Sequence, residues 1–183
     1  VELYGTHGTC KSRTTSIVKS KFRPGTRAGK AGTGIYFWAY DGSKDVAIEL
    51  ARNWWAWAND KNWYRAESDR RCSIIVVTLS LSSEELFFDC SDVAFLEELY
   101  KTAQVHGLEH ERDIASLYDL MLSDLEDDMQ QIFQVIKAHV PVPTSSYCDQ
   151  NSLIKKLYSH YCTYIVRKDY DEVISIADVK SNF

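Results

Sequence analysis

Strand character at both ends of a helical middle most limits how these 183 residues can fold. Ser73 to Leu81, a run rich in β-branched residues, is the clearest strand. Leu3 to Thr9 and Ile35 to Ala39 read as two shorter strands before it, and Leu86 to Asp89 as one after it. Thr163 to Arg167 and Val173 to Ala177 close the chain as two more, joined by the polar Lys168-Asp169-Tyr170-Asp171.

Helical spacing marks the segments between these strands. Thr14 to Lys21 reads as one or two helical turns, stopped at Arg23-Pro24-Gly25. Pro24 to Thr33, rich in Gly and Ala, reads as a mobile loop. Val46, Ala47, Leu50, Ala51 and Trp54 predict a helix with Asp41 or Ser43 as its cap. Phe95, Leu96, Leu99, Tyr100 and Ala103 mark another. Ile114, Leu117, Tyr118, Met121, Leu125, Met129, Ile132, Phe133 and Ile136 predict one long helix, stopped by Pro141 and Pro143. Leu153, Ile154, Leu157, Tyr158 and Tyr161 mark a third helix in this middle region. The order predicts an α+β fold, a single domain over residues 1–183 with a helical insertion over about 91–161.

A chain of this length can bury its own core. It has no run of eighteen apolar residues, so no transmembrane helix and no membrane association are expected. The five cysteines, Cys10, Cys72, Cys90, Cys148 and Cys162, are odd in number and lack short spacings. They read as reduced thiols of a cytoplasmic protein, with no metal knuckle and no disulfide framework.

The net charge of −5 hides an asymmetry. Residues 1–80 hold 13 Lys and Arg against 7 Asp and Glu, and residues 81–183 hold 8 against 19. Between Glu2 and Asp41 stand Lys11, Arg13, Lys19, Lys21, Arg23, Arg27 and Lys30, with no acid. Such a stretch can meet a pyrophosphate or a nucleic-acid backbone, or simply be a solvated basic loop.

Two short motifs about thirty residues apart carry chemistry. Tyr4-Gly5-Thr6-His7-Gly8-Thr9 sets a histidine beside a glycine and a hydroxyl. Gly32-Thr33-Gly34-Ile35-Tyr36-Phe37 delivers an aromatic ring just after a glycine turn. Cleaving the bond between nicotinamide and ribose passes through an oxocarbenium-like sugar and releases a planar amide-bearing ring. His7 can bond a ribose hydroxyl, the Gly8 backbone can approach a carboxamide, and Tyr36 can stack on the ring. NAD is therefore the first ligand to consider.

These residues resemble the ADP-ribosyltransferases of the diphtheria-toxin and poly(ADP-ribose)-polymerase type. That family carries a His, a Tyr and often a Glu on three separate strands. His7-Gly8-Thr9 and Gly34-Ile35-Tyr36-Phe37 match the first two motifs, and Ser43-Lys44 with Ala47 occupy the small-residue helix that follows. Thr163-Tyr164-Ile165-Val166, a turn to Val173 and then Ile174-Ser175-Ile176 are similar to the third. The likeness covers both ends of the chain and none of the middle.

The resemblance implies a split β-sheet core, NAD as co-substrate, and His7, Gly8, Thr9, Gly34, Tyr36 and Ser43 around it. Thr163 stands where polymer-forming members carry Glu, which implies transfer of a single ADP-ribose or an inactive protein. Glu172 is the nearest acid that could substitute, so Thr163 or Glu172 completes the catalytic set with His7 and Tyr36. A small enzyme of this kind is similar to a bacterial toxin or phage-defence effector. The acceptor expected is a macromolecule, with nucleic acid slightly ahead of protein, and an antitoxin or other neutralising protein is an expected partner.

Two rival readings belong to other classes. The missing Glu also suits a catalytically inactive module that binds ADP-ribose, NAD or protein. His106-Gly107-Leu108-Glu109-His110 matches an inverted zinc-peptidase motif, in which two histidines four apart on a helix bind one metal. Gly107 weakens a helix where that motif needs one, and the stretch falls between two helical patterns.

Overall fold

A computed structural model describes residues 1–25, 29–144 and 157–181, apart from the side chain of Glu111. Among the described residues the fold is α+β, with a mixed seven-stranded sheet and five α-helices. The strands are β1 (Glu2–Cys10), β2 (Ile35–Tyr40), β3 (Cys72–Ser80), β4 (Phe87–Asp89), β5 (Val135–Pro141), β6 (His160–Val166) and β7 (Ile174–Lys180). The helices are α1 (Lys11–Ser20), α2 (Asp45–Asp60), α3 (Val93–Val105), α4 (Glu111–Met129) and the short α5 (Tyr170–Val173). The sheet runs β4-β5-β6-β2-β1-β3-β7, antiparallel except for the β4–β5 pair.

That one parallel pair explains the helical middle. Parallel neighbours need a long crossover, and α3 and α4 supply it between β4 and β5. Asp92 caps α3, its carboxylate accepting from the Ala94 and Phe95 amides at 2.9 and 3.4 Å. Gly107, at φ +61°, turns the chain out of α3, and Gln130 ends α4 in the left-handed region.

Two cores form, one on each face. Ala47, Leu50 and Ala51 of α2, with Phe95, Leu99, Leu117 and Leu122 of α3 and α4, cover Trp38, Ile74, Ile136 and Ile165. On the other face Phe22, Ile35, Phe37, Ile75, Val77, Val135, Val166 and Val173 pack together.

The long helix expected to reach Ile136 ends at Met129, and Val135 to Pro141 form β5 instead. Val135 belongs to one core and Ile136 to the other, and from there the strand alternates, with Ile136, Ala138 and Val140 buried in one core and Lys137, His139 and Pro141 on the more open face. The insertion expected to be helical thus contains a sheet strand. Most of the third expected helix, with Cys148, lies outside the described residues, as does Arg27; Tyr161 falls in β6. Cys10, Cys72, Cys90 and Cys162 are free thiols. Among the described residues no helix is long and apolar enough to cross a membrane.

Candidate functional site

The two central strands part at one end. The β1–β2 ladder runs from Tyr4↔Tyr40 to Thr6↔Trp38 and stops. Beyond that point β1 continues against β3 to Cys10↔Cys72, while β2 continues against β6 to Ile35↔Val166. His7 stands at the first residue of the gap, and its Nδ1–H donates to the Tyr36 carbonyl oxygen at 3.0 Å. A side chain thus bridges strands whose backbones no longer pair.

That bond fixes the imidazole tautomer, because a carbonyl can only accept, and leaves Nε2 bare as an acceptor. The ring packs edge-on to Phe22 at 5.4 Å and beside Phe37 at 5.8 Å. Burial lowers the His7 pKa, the Tyr36 carbonyl partly opposes this, and the Arg13 charge adds to the lowering. His7 is therefore neutral in the folded protein at pH 7.

Tyr36 points to the other face, where it packs against the α2–α4 core. Its hydroxyl donates to Gly32 O at 2.6 Å and accepts from the Ala31 amide at 3.0 Å. Burial, set against the Ala31 bond and helped by the Asp119 charge, pushes its pKa up. Gly29 lies so close that a Cβ there would fall 2.5 Å from the Tyr36 hydroxyl. The phenol oxygen is satisfied by the Gly29–Gly32 loop, so the ring is what Tyr36 offers to a ligand.

Thr163 shares that face. It pairs with Trp38 in β2 and Ala138 in β5, one row from Tyr36↔Ile165. Its side chain is 1% exposed and its hydroxyl donates to Tyr161 O at 3.4 Å. Gly34 packs on β6, where a Cβ would fall 2.6 Å from Val166 O. Gly8 faces α2, and a Cβ there would fall 1.8 Å from Ala51 O. Its missing side chain is what lets α2 lie directly on β1.

The structure thus sets His7, Gly8, Gly34, Tyr36 and Thr163 at or next to the parting of β1 and β2, with the His7 ring on the Phe22–Phe37 face and the Tyr36 and Thr163 side chains on the other. It sets three other candidates elsewhere. Thr9 is buried and bonds the Tyr64 phenol. Ser43 is exposed, donating to Asp45 Oδ2 at 2.9 Å at the start of α2. Glu172, in α5, lines a separate shallow pocket with Ser80, Leu81, Ser82, Gln134 and Val173. His106, Glu109 and His110 lie in the loop between α3 and α4, and all three are exposed. The helix that the zinc motif requires is therefore missing at these residues.

Asp119 of α4 carries a role that the sequence reading missed. Its carboxylate accepts from the Thr33 amide at 2.8 and 3.0 Å and from the Thr33 hydroxyl at 2.7 Å. Gly32 sits at φ +91° with no room for a Cβ beside Asp119. The crossover helix thus pins the turn that delivers Tyr36. With the partners 86 positions apart in the sequence, no local pattern links them.

Compared with known proteins, the chain matches no family model, no curated protein and no solved structure.

Proposed function

We propose that this chain is an NAD-dependent mono-ADP-ribosyltransferase that binds NAD at the parting of β1 and β2. The observation that carries the reading is the His7–Tyr36 bond across that gap, with Thr163 one row away on the Tyr36 face. The donor set fits the ligand: a neutral imidazole with a bare Nε2 suits a ribose hydroxyl, and a partly buried tyrosine ring suits a planar nicotinamide. The fold the resemblance implies, a split sheet, is in keeping with this parting.

In the proposed reaction the bond between nicotinamide and the ribose C1′ breaks, and its electron pair leaves with nicotinamide. The oxocarbenium-like C1′ is attacked by a nucleophile of the acceptor, which then loses a proton. His7 holds a ribose hydroxyl, the Gly8 backbone meets the carboxamide and Tyr36 stacks on the ring. Thr163 supplies a neutral hydroxyl where a charge would otherwise orient a second ADP-ribose, so one ADP-ribose is added per site. The acceptor is a macromolecule in this reading, in the manner of a toxin or defence effector kept in check by a neutralising protein.

Nicotinamide release tests the proposal. Wild-type protein should liberate nicotinamide from NAD, and His7→Ala and Tyr36→Ala should each lose most of that activity while remaining folded. A second reading, an inactive binding module, draws on the buried, uncharged Thr163. It predicts NAD or ADP-ribose binding by calorimetry with no nicotinamide released.

A further inference from the structure

Three tryptophans form a surface cluster at the same end of β1 as the candidate site. Trp54 and Trp57 lie one turn apart on α2 with ring centres 5.1 Å apart. Trp63 follows the end of that helix and meets them nearly edge-on, at 5.9 and 5.0 Å. Trp63 is 51% exposed. Trp57 leans on the small core of Cys10, Ala58 and Tyr64, whereas the ring contacts of Trp54 are with its two fellow tryptophans. Aromatic area of this kind, left in contact with water, suits a partner with flat faces.

Its position follows from α2. Ala47 lies at Thr6, Ala51 at Gly8 and Ala58 at Cys10, so the helix runs along β1 toward its C-terminal end. The tryptophans therefore sit past Gly8, where β1 and β2 have parted. There α1 leaves β1 directly after Cys10.

Charge joins the two elements. Arg13 of α1 donates to Trp63 O at 3.2 Å and lies 5.0 Å over the Tyr64 ring. Lys61 and Arg65 are exposed on either side of Trp63, whereas Lys19 and Lys21 lie at the far end of α1, beside Phe22 of the opposite core. Of the acids nearby, Glu67 is held by Arg13 at 2.7 Å and Asp69 by Arg71 at 2.6 Å, while Asp60 ends α2 between Trp57 and Trp63. Stackable rings beside exposed cations are the pairing that single-stranded nucleic acid recognises, with bases on the rings and phosphates on the cations.

We propose that Trp54, Trp57 and Trp63, with Lys61 and Arg65, bind single-stranded nucleic acid. This deepens the transferase reading by naming its acceptor class, and it rests on that reading only for the acceptor role.

Fluorescence anisotropy of labelled oligonucleotides about 12 nucleotides long, one RNA and one DNA, against the matching duplex tests it. Single strands should bind more tightly than duplex, and the RNA and DNA arms show which sugar is preferred. Trp63→Ala should weaken single-strand binding about 5- to 150-fold, the counterpart of ~1–3 kcal/mol for one lost base stack, without changing the salt slope. Trp63→Tyr should recover most of the affinity. Lys61→Glu with Arg65→Glu should weaken binding and flatten the salt slope by about 1.4, two phosphate contacts at ~0.7 each. Circular dichroism checks that each variant is folded.

Duplex binding equal to single-strand binding, or affinity indifferent to Trp63→Ala, would overturn the proposal. So would no oligonucleotide binding at low salt, as expected of a surface that docks a protein. Nicotinamide release without oligonucleotide is measured alongside and should be unchanged by Trp63→Ala. Release without strand binding defeats only this surface; strand binding without release defeats only the transferase reading.

Discussion

The His7 Nδ1–H donates to the Tyr36 carbonyl oxygen across strands that have ceased to pair two residues earlier along β2. The bond sets both the tautomer of the histidine and the separation of the strands at the gap. Burial of the ring, against which this bond works, sets a pH dependence. The ordinary histidine value is 6.5, and burial lowers it in the folded chain. The unfolded chain therefore takes up a proton near pH 6.5 that the folded chain does not. Stability should fall as pH drops through 6.5 toward the lower folded value, and should be fully present above 6.5. Nicotinamide release should follow the same side, since protonation removes the Nε2 acceptor. Thermal melts of wild type and His7→Gln across this range check it, with the variant losing that part of the slope.

Asp119 should act on NAD through the Tyr36 turn without touching it. Asp119→Ala removes a carboxylate that accepts from both Thr33 donors. It should lower stability by about 1–3 kcal/mol and raise the KM for NAD more than it lowers kcat. Thr33→Ala, which keeps the amide bond and loses the hydroxyl, should have a smaller effect in the same direction. Denaturant melts and steady-state kinetics together separate this from a purely structural role.

Glu126 anchors the end of α4 to the strands beyond it. It accepts from the Phe133 amide at 2.8 Å, from Arg167 at 2.9 Å and from Lys168 at 2.9 Å, and Arg167 is as deeply buried as its partner. Burial pushes the Glu126 pKa up, but these partners outweigh it and hold the carboxyl below its usual value. The stability it contributes is therefore present above the ordinary glutamate range and lost as pH falls through the lowered value. Glu126→Ala should cost about 3–5 kcal/mol in urea unfolding, because Arg167 is left buried and unpaired.

Gly8→Ala tests packing and site together. The added methyl meets a backbone carbonyl of α2, which cannot rotate away. Destabilisation of about 1–3 kcal/mol or more should appear in thermal melts. Gly42→Ala is the control for added methyls: the Gly42 Cβ position is open, although its φ of +77° carries its own modest strain.

Glu172 and Thr163 give opposite expectations. Glu172 lines a pocket apart from His7 and Tyr36, so Glu172→Gln should leave nicotinamide release unchanged. Thr163→Ala should lower it modestly, and the product should remain a single ADP-ribose by gel and mass analysis.

How much of this was legible in the sequence depended on whether the signal was local. The β-branched run of β3 and the glycine turn before Tyr36 read directly. The spacing of Ala47, Leu50 and Ala51 gave α2, because each residue reports its own face. β5 was misread because Ile132, Phe133 and Ile136 extend the helical spacing of α4, although Ile136, Ala138 and Val140 alternate with Lys137 and His139 as a strand does. His7, Tyr36 and Thr163 stand out through short motifs. Asp119 does not, since its partner lies on another element. Glu172 looked close to Thr163 in sequence, yet α5 carries it to the other core, where Val173 packs.

The central claim is that the parting of β1 and β2 is an NAD site that performs transfer. Its most direct measurement is nicotinamide release from NAD by the purified protein with cellular RNA, DNA and protein present, followed by mass spectrometry of each fraction. The account predicts nicotinamide release and a single ADP-ribose on one class of acceptor, both lost in His7→Ala. Wild-type protein that neither binds NAD by calorimetry nor releases nicotinamide would contradict it.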